Sequence, residues 1–72
     1  MKRVLFMATW CNPSKKVLEY IKLNNLEESI ELVDIDSAKG LKLAKEHIIR
    51  RIPTLMINNM CYCGDEIILE QL

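Results

Sequence analysis

The sequence predicts a single α/β domain whose elements run β-α-β-α-β-β-α. Three observations point there. Short apolar runs are rich in β-favouring residues, two segments carry apolar residues at helical spacing, and an Asn-Asn pair separates the last two runs. With 72 residues the chain makes one domain, 1–72, near the lower size at which a hydrophobic core suffices without staples. It contains no repeat, linker or low-complexity segment.

Each element has its own signal. Lys2 to Met7 is a short apolar run, read as a buried strand. The basic start Lys2-Arg3 before Val4–Ala8 faintly imitates a signal peptide, but that apolar stretch is too short. Pro13 suits the first turn of a helix, where its missing N–H costs nothing, and Asn12 suits the N-cap. Val17, Leu18 and Ile21 form the apolar face of that helix, with Lys15, Lys16, Glu19 and Lys22 on the other. Asn24-Asn25 ends it.

Ile30 to Asp36 reads as the second strand, with Leu32 and Val33 central. Ser37 can cap a second helix running to about Ile48, with Leu41, Ala44 and Ile48 facing inward and Gly40 weakening its first turn. Thr54 to Ile57, Asn58-Asn59 and Met60 to Cys63 make a hairpin, since Asn tolerates positive φ. Gly64 precedes a last helix, Asp65 to Leu72, carrying Ile68 and Leu72.

Ten basic residues balance ten acidic ones, so no global charge argues for nucleic acid or an anionic membrane. No apolar run approaches the ~20 residues of a transmembrane helix. A cytoplasmic monomer is the expectation. Three cysteines cannot all pair within one chain. Cys61 and Cys63 are close, but two strand residues apart places their Cα atoms ~6.6 Å from each other, the outer edge of disulfide geometry. The thiols are therefore read as chemistry or small core residues.

The chemistry centres on Trp10-Cys11-Asn12-Pro13-Ser14, between a strand and a helix. A Cys at a helix N-terminus faces unpaired N–H groups and the positive end of the helix dipole, which favour the nucleophilic thiolate. Cys11 is the candidate nucleophile. The Ser14 N–H and hydroxyl are candidates to hydrogen-bond its sulfur, and Lys15 and Lys16 could add favourable charge. His47, on the second helix, is read as a helix-face residue. Downstream, Arg51-Ile52-Pro53-Thr54 opens another apolar strand.

Together these two motifs resemble the thioredoxin superfamily, with its Trp-Cys-x-Pro-Cys active site and its cis-proline loop. The resemblance covers essentially the whole chain. It implies the minimal thioredoxin, glutaredoxin-like fold: a four-stranded mixed sheet flanked by helices, without the extra N-terminal strand and helix of full thioredoxins. It further implies a thiol–disulfide oxidoreductase, with Cys11 as the attacking thiol and Ser14 at the position of the resolving cysteine. Trp10, Asn12, Pro13, Ile52, Pro53 and Thr54 would line the substrate groove, the Ile52–Pro53 bond being cis. Partners would be protein disulfides, with a thioredoxin-reductase-like flavoprotein or glutathione as electron donor. No cofactor and no metal are expected.

Ser14 departs from the family's dithiol pattern. It fits either a monothiol protein or a Cys-to-Ser form of a Trp-Cys-x-Pro-Cys parent, and Trp10 with Pro13 favours the second. As written, the chain should stop at a mixed disulfide. Cys63-Gly64-Asp65 resembles the glutaredoxin Gly-Gly-x-Asp end that holds glutathione, with Cys63 in place of the first glycine. The basic residue that glutaredoxins place before the active cysteine is missing, as is the buried Asp of larger thioredoxins, whose position Leu5 takes. The alternative function is a monothiol glutaredoxin-like protein binding glutathione or a [2Fe–2S] cluster. Cys63 is a candidate second resolving thiol, and a metal site from Cys61, Cys63 and Cys11 is the weakest reading.

Overall fold

The computed structural model describes residues 2–72. Its elements are β1 (Arg3–Met7), α1 (Asn12–Leu23), β2 (Glu31–Asp34), α2 (Ala38–Glu46), β3 (Thr54–Ile57), β4 (Met60–Cys63) and α3 (Asp65–Gln71). This is the expected order. The sheet runs β2-β1-β3-β4, with β1 parallel to β2 and antiparallel to β3. The mixed sheet is therefore as expected too.

β1 reads as a continuous apolar run because both of its faces are covered. Leu5 and Met7 join Val17 and Ile21 of α1, Leu55 of β3 and Ile68 of α3 in one core cluster. Val4 and Phe6 point the other way, to Val33 and Ala44. Successive strand residues alternate faces, so one strand organises both layers. Leu5 sits opposite both Leu32 and Leu55, and is fully buried.

The second strand is shorter than expected, Glu31–Asp34 rather than Ile30 to Asp36. Leu32 is 39% exposed because β2 is an edge strand of the sheet formed by the described residues. Beyond it the chain turns: the Asp34 carboxylate accepts from the Asp36 N–H, and the Ser37 hydroxyl donates to the Asp34 carbonyl. Ser37 caps α2 as expected, its oxygen accepting from the Gly40 N–H at 2.9 Å.

The end and inward face of α2 differ from the sequence reading. The helix stops at Glu46, and Ile48 takes a left-handed conformation with φ 54°. Its N–H bonds to Lys45 O while the Ile49 N–H reaches Ala44 O, the paired bonds of a Schellman stop. Ile48 is thereby thrown outward, 70% exposed, and Leu41 is 49% exposed. Ala44 is buried as expected, and Gly40 is the other buried position, in place of Leu41 and Ile48. The same stop ends α1, where Asn25 carries φ 54° and the Leu26 N–H bonds to Ile21 O. The hairpin turns at Asn58, φ 55°, as Asn tolerance of positive φ predicts.

Gly40 does not merely weaken the first turn of α2. A Cβ there would stand 1.8 Å from the Asp34 carbonyl oxygen, so only glycine lets the helix rest against the end of β2. Alanine normally gains about 1 kcal/mol over glycine within a helix. Here Gly40→Ala should instead destabilise the domain by roughly 1–3 kcal/mol, through overpacking against backbone. Urea unfolding checks the sign; an unchanged or raised midpoint would contradict the packing argument.

Candidate functional site

The site forms where β1 hands over to α1. Ala8, fully buried, is held from two directions: the Cys11 N–H bonds to its carbonyl at 3.2 Å, and its own N–H donates to Ser14 Oγ at 3.4 Å. Cys11, not Asn12, is the N-cap of α1, with Asn12 and Pro13 already in the helix. The reason is the turn Ala8–Cys11, which brings the chain into the helix one residue earlier than the Asn signal suggests. Cys11 uses its backbone as the cap: its carbonyl accepts the Lys15 N–H at 3.0 Å, and its side chain makes no capping bond. The sulfur is thus left at the positive end of α1, beside first-turn N–H groups that lack helical partners.

The second motif meets the first here. The Ile52–Pro53 bond is cis. Cys11 Sγ lies 3.9 Å from the Ile52 carbonyl oxygen. Behind that contact, the Pro53 carbonyl accepts the Gly64 N–H at 3.1 Å, tying the loop to the end of β4. Gly64 holds φ 93°, a conformation natural to glycine, at the start of α3. Thr54 is buried, its hydroxyl donating to the Arg51 carbonyl.

Ser14 is fully buried, one turn inside α1 from Cys11. Its hydroxyl engages the Ala8 N–H rather than the Cys11 sulfur. Leu5, also fully buried, fills the apolar layer beneath and offers no titratable group. Asp65 pairs with Lys16 at 3.4 Å, joining α3 to α1, so Lys16 faces α3. Lys15, Asn12 and Pro13 are exposed. His47 caps the end of α2 with its ring 6.1 Å from Phe6, away from the motif.

Trp10 is 64% exposed, and its indole N–H donates to Asp36 Oδ2 at 2.7 Å. It lines a mostly apolar hollow of about 310 Å³ together with Ile35, Ala44, Ile49 and Ile52, and Arg50 and Arg51 line the same hollow. Ile35 and Asp36 were not legible as part of this groove in the sequence, because the turn after β2 carries them to Trp10. Cys63 goes elsewhere. Its Sγ lies 3.5 Å from Thr54 Oγ1, and no contact with Cys11 forms. Among the described residues, no cluster of three or more His, Cys, Asp or Glu is arranged to hold a metal.

Trp10 is the sole tryptophan, so its fluorescence reports this wall directly. Asp36→Ala should free the indole and lower its steady-state anisotropy, while stability falls by less than about 1 kcal/mol, as for an exposed polar contact. Unchanged anisotropy would mean that the bond to Asp36 does not hold the ring.

Comparison with known proteins bears on the family and the fold. The thioredoxin family model matches residues 3–66. "Thioredoxin 3" of Plasmodium falciparum is 39% identical over 51 residues, 71% of this chain but 28% of that protein. The chain therefore spans a little over a quarter of the curated relative it matches. The crystal structure of a Plasmodium falciparum thioredoxin superposes with TM-score 0.64 at 30% identity, covering 96% of this chain and 65% of that one. Trichomonas vaginalis thioredoxin, at 20% identity and TM-score 0.65, covers 96% of this chain and 71% of its own, and shares the fold. Matched by that family model over residues 3–66 and sharing the four-stranded mixed sheet of these structures, the chain belongs to the thioredoxin family.

Proposed function

We propose that this chain is a thiol–disulfide oxidoreductase acting on protein disulfides through Cys11. The observation that carries the reading is the half-exposed sulfur at the N-terminus of α1, 3.9 Å from the Ile52 carbonyl and beside the Trp10 hollow. An extended substrate lies against the Ile52 backbone, its apolar side chains in the hollow. Cys11 thiolate attacks one sulfur of the substrate disulfide. A Cys11–substrate disulfide forms, the substrate S–S bond breaks, and the departing sulfur leaves as a thiolate that takes a proton from water. The first-turn N–H groups of α1 stabilise the negative charge before attack.

The cycle stops there. Ser14 occupies the resolving position, and a hydroxyl forms no disulfide. Release must wait for an external thiol, from glutathione or from a partner served by a flavoprotein reductase. Asp65, the glutaredoxin-like residue, is drawn to Lys16, which leaves the protein-disulfide reading the better supported one. The three free thiols suit a reducing compartment such as the cytoplasm.

Ser14→Cys tests the proposal. The buried site one turn from Cys11 puts an introduced sulfur within reach of the mixed disulfide. With a peptide disulfide and no external thiol, the present chain should hold its adduct. The variant should release reduced peptide roughly a hundred-fold faster or more, because its attacker is intramolecular. It should end with a disulfide between Cys11 and the introduced cysteine. Equal release from both forms would remove Ser14 from the resolving role.

A further inference from the structure

A pair of thiols lies across the sheet from α1. Cys61 and Cys63 stand opposite Met56 and Thr54 in the β3–β4 ladder, and directly opposed residues share a face. Met56 packs with Val4, Phe6 and Ala44 on the α2 side, whereas Val17 and Ile21 of α1 pack on the other. The Thr54 hydroxyl proton goes to the Arg51 carbonyl, so the Cys63 S–H donates to Thr54 Oγ1. Cys63 is half-buried and engaged. Cys61 is exposed and free.

Both cysteines line an open hollow of about 230 Å³ with Ile48, Ile49, Arg50, Arg51 and Thr54. The Schellman stop of α2 builds its far wall by turning Ile48 outward and setting the two arginines after it. Both arginines are exposed. Among the described residues the one ion pair is Lys16–Asp65, so neither guanidinium is paired with a carboxylate of those residues. Apolar surface, two guanidinia and an accessible thiol thus meet in one small concavity, sized for part of a short peptide.

We propose that this hollow is a thiol-modification site, which takes the disulfide of a small carboxylate-bearing thiol and joins one half of it to Cys61. The arginines recognise the carboxylates, for which a guanidinium fork is suited. Cys61 loses its proton to solvent and attacks one sulfur of the incoming disulfide. A Cys61–S–S–R bond forms, the RS–SR bond breaks, and RS⁻ departs with the electron pair and picks up a proton. Cys61 is oxidised and half of the small disulfide is reduced. Cys63 does not expel the adduct, because residues two apart on a strand lie ~6.6 Å from each other at the edge of disulfide reach. The adduct persists until an external thiol arrives. None of this depends on what Cys11 does.

The test uses the full chain carrying Cys11→Ser, with glutathione disulfide as the charged probe and bis(2-hydroxyethyl) disulfide as the neutral one. Adducts are timed by intact mass and placed by peptide mapping. Cys61 should be modified by the charged probe faster than by the neutral one, by roughly three- to ten-fold after correction for intrinsic reactivity, the range open to two exposed ion pairs. That ratio should fall toward one in Arg50→Gln/Arg51→Gln and at high salt. Far-UV circular dichroism checks that the variant is folded. Equal rates with both probes, a ratio indifferent to the arginines, or modification at Cys63 with Cys61 untouched would each overturn the proposal.

Discussion

The turn that presents Cys11 rests on the backbone of Ala8. This residue ends the apolar run of β1, is fully buried, and gives both of its polar groups to the motif that follows. Its carbonyl accepts the Cys11 N–H and its N–H donates to Ser14. A buried backbone group must be paired, so the turn between strand and helix has little freedom. β1 is in turn immobilised by burial on both faces, against α1 and α3 on one side and α2 on the other. The position of a half-exposed sulfur is thereby fixed by the most buried strand of the sheet. The Pro53 loop is fixed independently, through Gly64 at the end of β4. Two separately anchored segments meet at Cys11 Sγ and Ile52 O.

Ser14 has a double part in this arrangement. Its hydroxyl satisfies the Ala8 N–H, and its place one turn inside α1 is where the family's second thiol would stand. In the function proposed above, a serine there keeps the structural bond while removing the resolving chemistry. The polar contact explains how the domain holds its geometry without a disulfide at the motif. It also leaves the Cys11 sulfur with the Ile52 carbonyl as its neighbour rather than a hydroxyl.

The element order and both motifs were legible because each carries a local signal. Pro13 marks a first turn, Ser37 a cap, Asn58-Asn59 a hairpin, and burial on both faces makes β1 a continuous apolar run. What was not legible depended on contacts distant in sequence. The end of α2 was missed because Ile48 occupies a left-handed position that sequence patterns reserve for Gly or Asn. Gly40 was misread as a weak helix residue because its neighbour, the Asp34 carbonyl, is supplied by the end of β2. Asp36 gave no sign that it would hold Trp10. The faces of Cys61 and Cys63 were readable from period two, but which layer that face met came only from the register with Met56 and Thr54.

The central claim is that the geometry around Ala8 makes Cys11 the reacting thiol and makes the reaction stop after one bond exchange. One equivalent of an uncharged peptide disulfide, added to the reduced chain without external thiol, tests it most directly by intact mass and peptide mapping over time. The account predicts a single adduct that forms first at Cys11, persists, and is released by added reductant. First modification at Cys61 or Cys63, or spontaneous loss of a Cys11 adduct, would contradict it.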